Sequence, residues 1–259
     1  MRNVRRVALL VGLWGLVALR PAPAAEEFKP FVFVHVGDPE LGKPDLKSTA
    51  ERFALFAQRA NALGAELAVV AGDLMHDPTD EQLKAFQDCL RQFKMPVKLI
   101  PGNHDDPRLF EKHFGPRRYV FTHRNCDFIC LDSNDILQHP SPTEPKGQEL
   151  WKWLEAALDD ATRQKRTHTF VVMHHPIADQ PPLEDLLAKY RIAGVLSGHL
   201  HMTREIRGKG FTIYVAPSTA RFRDDKGLGY RVFKVFQDRI EQEAVPLEKE
   251  VGRAALEAK

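Results

Sequence analysis

Cysteine is scarce: the 259 residues hold three, Cys89, Cys126 and Cys130. An odd count excludes a fully paired disulfide framework within one chain. Cys126 and Cys130 stand four positions apart on one strand-like segment, too far apart for an easy bridge along an extended backbone, so buried thiols are expected. An excess of one charge is also missing, with 37 Lys and Arg against 35 Asp and Glu. The first 24 residues hold four arginines and no acid, so the slight positive balance belongs to that segment. This removes the electrostatic ground for a nucleic-acid partner, and weakens a nuclease reading with it. The longest apolar run, "VALLVGLWGLVAL", has 13 residues, against the ~20 that a membrane helix needs. It follows a basic "MRNVRR" and precedes an A-x-A site at Ala22 to Ala24. That layout predicts a secretory signal peptide over residues 1–24, with export to the periplasm or beyond and no membrane contact after cleavage. An uncleaved N-terminal anchor is the other reading. No internal repeat or low-complexity tract is present.

What is there is an alternation of apolar runs with longer amphipathic segments. "FVFVHVG" precedes a helical pattern from about Lys47 to Leu63, and "ELAVVAGD" follows it. "TDEQLKAFQDCLRQF" reads as a helix capped by Thr79, and "MPVKLIPGNHD" comes next. Short continuous apolar strands between helices predict a buried, largely parallel sheet. "RRYVFTHRN" and "CDFICLDS" read as paired strands turning at Asn125. Leu150, Trp153, Leu154, Ala157 and Leu158 line one face of a further helix and predict its buried stripe. "HTFVVMHHP" and "IAGVLSGHLH" are two more buried strands, and the tail from "KGFTIYVAP" onward alternates like antiparallel ones. The Pro-rich "LQHPSPTEPKG" reads as a surface loop. One domain over residues 30–245 is expected, with a C-terminal tail over 246–259.

The chemistry is concentrated where the buried strands stop. The successive ends carry Asp38; Asp73; Asn103 with His104 and Asp105; His174 with His175; and His199 with His201. In an open α/β sheet that edge is where ligands bind. Carboxylate, amide and imidazole donors together suit divalent Mn, Fe, Zn, Ni or Co. An H-x-H pair on an extended segment sends both imidazoles to one side, so one could reach each of two metals. Two ions about 4 Å apart, bridged by an Asp, are the arrangement that hydrolyses phosphate esters.

The ordered set "GDP", "GD", "GNHD", "HHP" and "GHLH", running from about Phe31 to Val215, resembles the calcineurin-like metallophosphoesterase family. "GQELWKWLEAAL" looks like that family's helix before the HHP strand. The resemblance implies an α/β fold, a four-layer α/β/β/α sandwich of two mixed sheets, with metals at the sheet edges. It also implies two divalent or trivalent ions, Mn, Fe or Zn foremost, with Mg or Co as other fits. Carried over motif by motif, Asp73 bridges the metals. Asp38 and His201 bind the first, and Asn103, His174 and His199 bind the second. His104 assists the leaving oxygen as a general acid or charge stabiliser, and Asp105 orients its imidazole; a helix N-cap is the alternative for Asp105.

One position departs from the pattern. The family's first motif usually reads D-x-H, and here it reads Asp38-Pro39-Glu40. His35 faces the other side of its strand and is a poor substitute. Glu40 sits at the ligand offset and its carboxylate can bind a cation; a solvated turn residue is the competing reading. As a ligand it would cancel the excess positive charge of the centre, weaken the pull on a phosphate dianion, and leave the first metal site weaker or more selective.

The expected function is hydrolysis of a phosphate monoester or diester by a hydroxide activated between two metals. The substrate is a phosphorylated small molecule or a phosphopeptide. The alternative is a catalytically reduced protein that binds metal or phosphate esters, disabled by Glu40. His175 is expected to support its neighbours by packing, and His76 and Asp77, in a loop near the proposed site, to form a turn, with substrate contact as the other reading. Arg221 and Arg223 are candidates for a fork on phosphate.

Overall fold

The computed structural model describes residues 27–177 and 180–250. The expected signal peptide, and residues 251–259 of the expected tail, lie outside the described residues. No helix among the described residues is long and apolar enough to cross a membrane.

The chain forms two mixed β-sheets flanked by helices. The first sheet contains β1 (Phe31–Gly37), β2 (Leu67–Ala71), β3 (Val97–Ile100), β10 (Gly229–Val235) and β11 (Ile240–Pro246), in the order β11-β10-β1-β2-β3. The second contains β4 (Tyr119–His123), β5 (Cys126–Cys130), β6 (His168–Val172), β7 (Gly194–Ser197), β8 (Arg204–Arg207) and β9 (Thr212–Val215), in the order β4-β5-β6-β7-β9-β8. β1, β2 and β3 run parallel, as do β5, β6, β7 and β9. β10–β11 is antiparallel as its alternation predicts, and β4–β5 is antiparallel across its expected turn, whereas β9, expected among the antiparallel strands, runs antiparallel to β8 but parallel to β7. Arg124 and Asn125 both have positive φ, which gives the tight turn between β4 and β5.

Period-two alternation decides which face each strand buries. Phe31, Phe33, Leu67, Val69, Phe128, Phe170, Val172 and Phe233 point between the sheets. Phe33 stacks on Phe233 at 4.6 Å and meets Phe128 and Phe170 edge-on at 5.4 and 5.3 Å. Their neighbours Val34, Val36, Ala68 and Val70 turn outward onto Phe53, Phe56 and Phe86. Those rings lie on α1 (Leu46–Ala62) and α2 (Asp80–Leu90), whose N-caps Asp45 and Thr79 accept Ser48 and Gln82 N–H groups. On the far side, Ile129, Val171, Val195 and Ile213 pack against α5 (Gln148–Arg163) and α6 (Pro181–Leu187). The result is the expected helix–sheet–sheet–helix layering. All three cysteines are free and buried.

The buried stripe of α5 differs from expectation. Trp151, 4% exposed, is the core residue with Leu150, Leu154, Leu158 and Ala161, and its Nε1–H donates to His139 O at 3.0 Å. Trp153 is only partly buried and lies under the Arg118 guanidinium. The indole N–H accounts for this: the loop before the helix supplies a half-buried carbonyl, that of His139, on the Trp151 side.

Candidate metal centre

The β1–β2 ladder does not stop where the strands end. Asp38 N–H donates to Gly72 O, Glu40 N–H to Asp73 O and Leu41 N–H to Leu74 O, at 3.1, 2.8 and 3.2 Å. The extension requires an unusual backbone. Asp38, Glu40, Asp73, His199 and His201 all have positive φ, between 39° and 68°. Left-handed geometry at non-glycine residues costs about 1–3 kcal/mol each and persists where surrounding bonds enforce it. His199 and His201 therefore leave their strand in bent rather than extended backbone, and the reason expected for their shared direction does not hold. Two glycines let the loops close. A Cβ on Gly102 would lie 2.1 Å from Asp73 Oδ1, and one on Gly72 would lie 2.5 Å from His174 Nδ1.

The two sheets meet through four donor side chains. His174 is fully buried, and its Nδ1 lies 2.8 Å from Ala71 O, which fixes a proton there and leaves Nε2 as the nitrogen that a cation, or in its absence a second proton, can take. That Nε2 lies 3.1 Å from Asn103 Oδ1, 3.3 Å from Asp73 Oδ2 and 3.3 Å from His199 Nδ1. Donors held around one ion by bonds of roughly 2.0–2.2 Å stand roughly 3.0–3.5 Å apart. The observed spacing is that of a coordination polyhedron's edges. Asp38, Asp73 and His174 also bring donor atoms within 4.8 Å of one another, which joins the Asp38 side of the centre to the His174 side. These residues fit a two-cation site.

In the first half, His201 Nε2 lies 3.6 Å from Asp38 Oδ1 and 3.8 Å from Glu40 Oε2. Asp38 also accepts the His199 N–H at 2.9 Å. Glu40 is fully buried, which excludes the solvated turn. Its carboxylate accepts Arg221 Nε–H at 2.6 Å and Nη2–H at 2.8 Å, and His76 Nδ1 lies 3.1 Å away. Arg221 thus returns the positive charge that Glu40 was expected to remove. His76, read from sequence as a turn residue, packs its ring 5.1 Å from that of His104. Its place after the Gly-Asp strand end put His76 near the site, but not its pairing with Glu40, which lies 36 positions away. His35 is buried with its ring nitrogens at Val69 O and Ser197 O, away from the centre.

His104 is anchored through its backbone N–H, which donates to Asp73 Oδ1 at 2.9 Å. Asp105 does not take the role expected of it. Its buried carboxylate accepts the backbone N–H groups of Leu74 and Gly102, at 3.0 and 2.8 Å. It ties the loop after β3 to the loop after β2. Nor does it cap the next helix: Asp106 caps α3 (Pro107–Phe114). His175 pairs with Ser133 Oγ at 2.8 Å and packs 4.4 Å from the His199 ring.

Charge in the centre is strongly coupled. Burial raises Asp38 to about 8, with nearby Asp73 adding to the effect. Burial also opposes ionisation of Asp73, but the His174 hydrogen bond and charge hold its carboxyl well below the usual carboxylate range. Burial would lower His174, yet Asp73 and Asp38 raise it to about 9. Without a cation, a proton on His174 balances the carboxylates. Burial, with Arg221 and Arg223, lowers His201 to about 3, leaving a neutral imidazole of the kind a cation needs.

Comparison with known proteins agrees with this geometry. The sequence profile of the family described as "Calcineurin-like phosphoesterase" matches residues 29–203. A "Probable cyclic nucleotide phosphodiesterase" of Vesicomyosocius okutanii subsp. Calyptogena okutanii is 24% identical over 196 residues, 70% of this chain and 82% of its own. The "3',5'-cyclic adenosine monophosphate phosphodiesterase CpdA" of Haemophilus influenzae is 24% identical over 225 residues, 76% of this chain and 80% of its own. Among solved structures, a "dimetal phosphatase" from Danio rerio superposes with a TM-score of 0.69 at 13% identity, over 85% of this chain and 98% of that one. At that identity the superposition speaks for the fold alone.

Proposed function

The chain belongs to the calcineurin-like phosphoesterase family, and from that premise we propose that it hydrolyses phosphate esters at a centre that holds two cations. The observation that carries this is the convergence of Asn103 Oδ1, Asp73 Oδ2 and His199 Nδ1 within 3.1–3.3 Å of His174 Nε2. In this reading Asp73 serves both cations, Asp38 and His201 the first, and Asn103, His174 and His199 the second. Bound there, the cations would supply Lewis acidity toward phosphoryl oxygens and a water of lowered pKa. Mn, Fe or Zn suits this mixture of donors.

The protein's own groups do the rest. The Ala71 carbonyl holds the His174 ring in the tautomer that offers Nε2. The Asp73 carboxylate fixes the His104 backbone, and the His76 ring limits how the His104 imidazole can turn. In this reading His104 gives a proton to the departing alkoxide. Arg221, read from sequence as a fork for phosphate, is committed to Glu40, so the positive potential that would favour an anionic ester is left to the exposed Arg223.

The two curated relatives are named for cyclic nucleotide phosphodiester cleavage, and this favours a diester for the present chain. The test is a turnover screen with Mn²⁺ over bis-p-nitrophenyl phosphate, 3',5'-cyclic AMP, p-nitrophenyl phosphate and a phosphoserine peptide. Turnover of the diesters supports the proposal, and no turnover of any ester across Mn, Fe, Co, Zn and Mg contradicts it. The second reading, a binder of metal or phosphate esters, is favoured by the bonds that already occupy Glu40. The leader expected at residues 1–24 would place the activity outside the cytoplasm; an exported chain whose N-terminus is Ala25 is the outcome that supports it.

A further inference from the structure

Glu40 stands where the family pattern puts an imidazole ligand, yet its carboxylate faces a fixed cation of the protein. The planar guanidinium of Arg221 meets both oxygens, Nε–H to Oε2 at 2.6 Å and Nη2–H to Oε1 at 2.8 Å. This two-point geometry is the strongest that a side-chain cation makes with a carboxylate. His76 Nδ1 lies 3.1 Å from Oε1. Three of the roughly four acceptor positions of the carboxylate are therefore committed. The fourth faces His201, whose Nε2 is 3.8 Å from Oε2. Glu40 is 0% exposed and Arg221 32% exposed, so the acid depends on the base for its counter-charge.

Neither partner is free to swing away. Glu40 is held by its N–H to Asp73 O and by a left-handed backbone, φ 39°. Ser218 Oγ donates to Asp38 O at 2.6 Å and accepts the N–H groups of Ala220 and Arg221. Arg52 Nη1–H donates to Ala220 O at 2.9 Å, and Arg223 N–H donates to His201 O at 2.8 Å. The segment that carries Arg221 is thereby tied at one end to Asp38 and at the other to His201, the two residues assigned to the first cation alone.

Building on the two-cation reading, we infer that Arg221 is a positioning residue that keeps Glu40 from binding the first cation. That cation is then held by Asp38, Asp73 and His201 only, one protein ligand fewer than Asp73, Asn103, His174 and His199 give the second, and is bound more weakly than it. The exchange of an imidazole for a carboxylate in the first motif does not supply a new ligand. It supplies the anchor for an arginine, and the pair as a unit leaves the charge of the centre unchanged.

The experiment is calorimetric titration of the metal-stripped chain with Mn²⁺, alongside Arg221→Gln and the double variant Glu40→Gln/Arg221→Gln. The wild-type chain is expected to show two classes of site, one weak and one tight. Arg221→Gln releases the carboxylate and should tighten the weak class by about tenfold or more, the worth of a charge-assisted hydrogen-bond pair. The double variant removes both charges together and should leave the weak class within about threefold of wild type. It also guards against a misfolded Arg221→Gln chain, since it leaves no unpaired acid. Weaker binding than that in the double variant would identify Glu40 as a ligand and overturn the inference. So would an unchanged weak class in Arg221→Gln, or two sites of equal affinity in the wild type. A wild-type chain that takes up no Mn²⁺ refutes the two-cation reading itself, and is told apart because no class of sites appears.

Discussion

Glu40 and Arg221, 181 positions apart in sequence, close a two-point ion pair between the loop after β1 and the segment after β9. One partner is fully buried and the other about a third exposed. Arg221→Ala is therefore expected to lower the unfolding free energy by about 2 kcal/mol, less than for a wholly buried pair because solvent already screens the guanidinium. Arg223→Ala, at an exposed side chain, should stay within about 0.5 kcal/mol of wild type. Urea unfolding of the two variants checks the contrast; equal effects would contradict it.

Gly102 is where the loop after β3 passes Asp73. A methyl group there would stand 2.1 Å from Asp73 Oδ1 and 2.3 Å from its backbone nitrogen. Gly102→Ala should cost about 1–3 kcal/mol through displaced backbone. It should also weaken cation binding, because Asn103 moves with the loop. Thermal melts with and without Mn²⁺ test both parts: the variant should melt lower and gain less from the metal.

The pH response of the metal-stripped chain follows from His174 and Asp38. His174 is raised to about 9 in the fold by Asp73 and Asp38 against the effect of burial, so its contribution is complete below about 6.5 and lost as pH rises through about 9. Asp38, raised to about 8 by burial, likewise favours the fold in its protonated form, so it costs stability progressively as pH climbs from the ordinary carboxylate range toward about 8. Both signs agree. The stripped chain should lose stability between about pH 6.5 and 9, while the Mn²⁺-loaded chain should not. Melting curves across that range decide it; a stripped chain that gains stability would contradict the assignment.

His104 is assigned to the leaving group and not to cation binding. His104→Ala should keep the wild-type metal content and lose about a hundredfold or more in kcat on an alkyl ester. On p-nitrophenyl esters, whose leaving group needs no proton, the loss should be much smaller. Equal losses on both substrates would remove the proton-donor role.

Much of this was legible in the sequence because strands announce themselves by apolar runs and end where the runs end. Asp38, Asp73, Asn103, His174, His199 and His201 each sit just past such a run, and parallel pairing of β1, β2 and β3 and of β6 and β7 brings those ends together. What escaped was set by contacts distant in sequence. Glu40 looked like a ligand or a turn because Arg221 lies beyond eight further strands. Asp105 read as a cap or as a support for His104, but its carboxylate turns inward to the Leu74 and Gly102 N–H groups and Asp106 caps α3. Trp151 and Trp153 differ only in which one finds a carbonyl, and β8, "REIR", has no apolar run to mark it. The left-handed backbone at five of the site residues has no sequence signal of its own, since none of them is glycine.

The central claim is that side chains from both sheets, joined through Asp73, hold the cations on which ester hydrolysis depends. Its most direct test is one Mn²⁺ titration of stripped wild-type and Asp73→Ala chains, following bound metal and bis-p-nitrophenyl phosphate turnover together. The account predicts that wild-type turnover rises with occupancy toward two ions per chain, and that Asp73→Ala neither fills the centre nor turns over the ester. Hydrolysis by the stripped chain, or undiminished hydrolysis by Asp73→Ala, would contradict it.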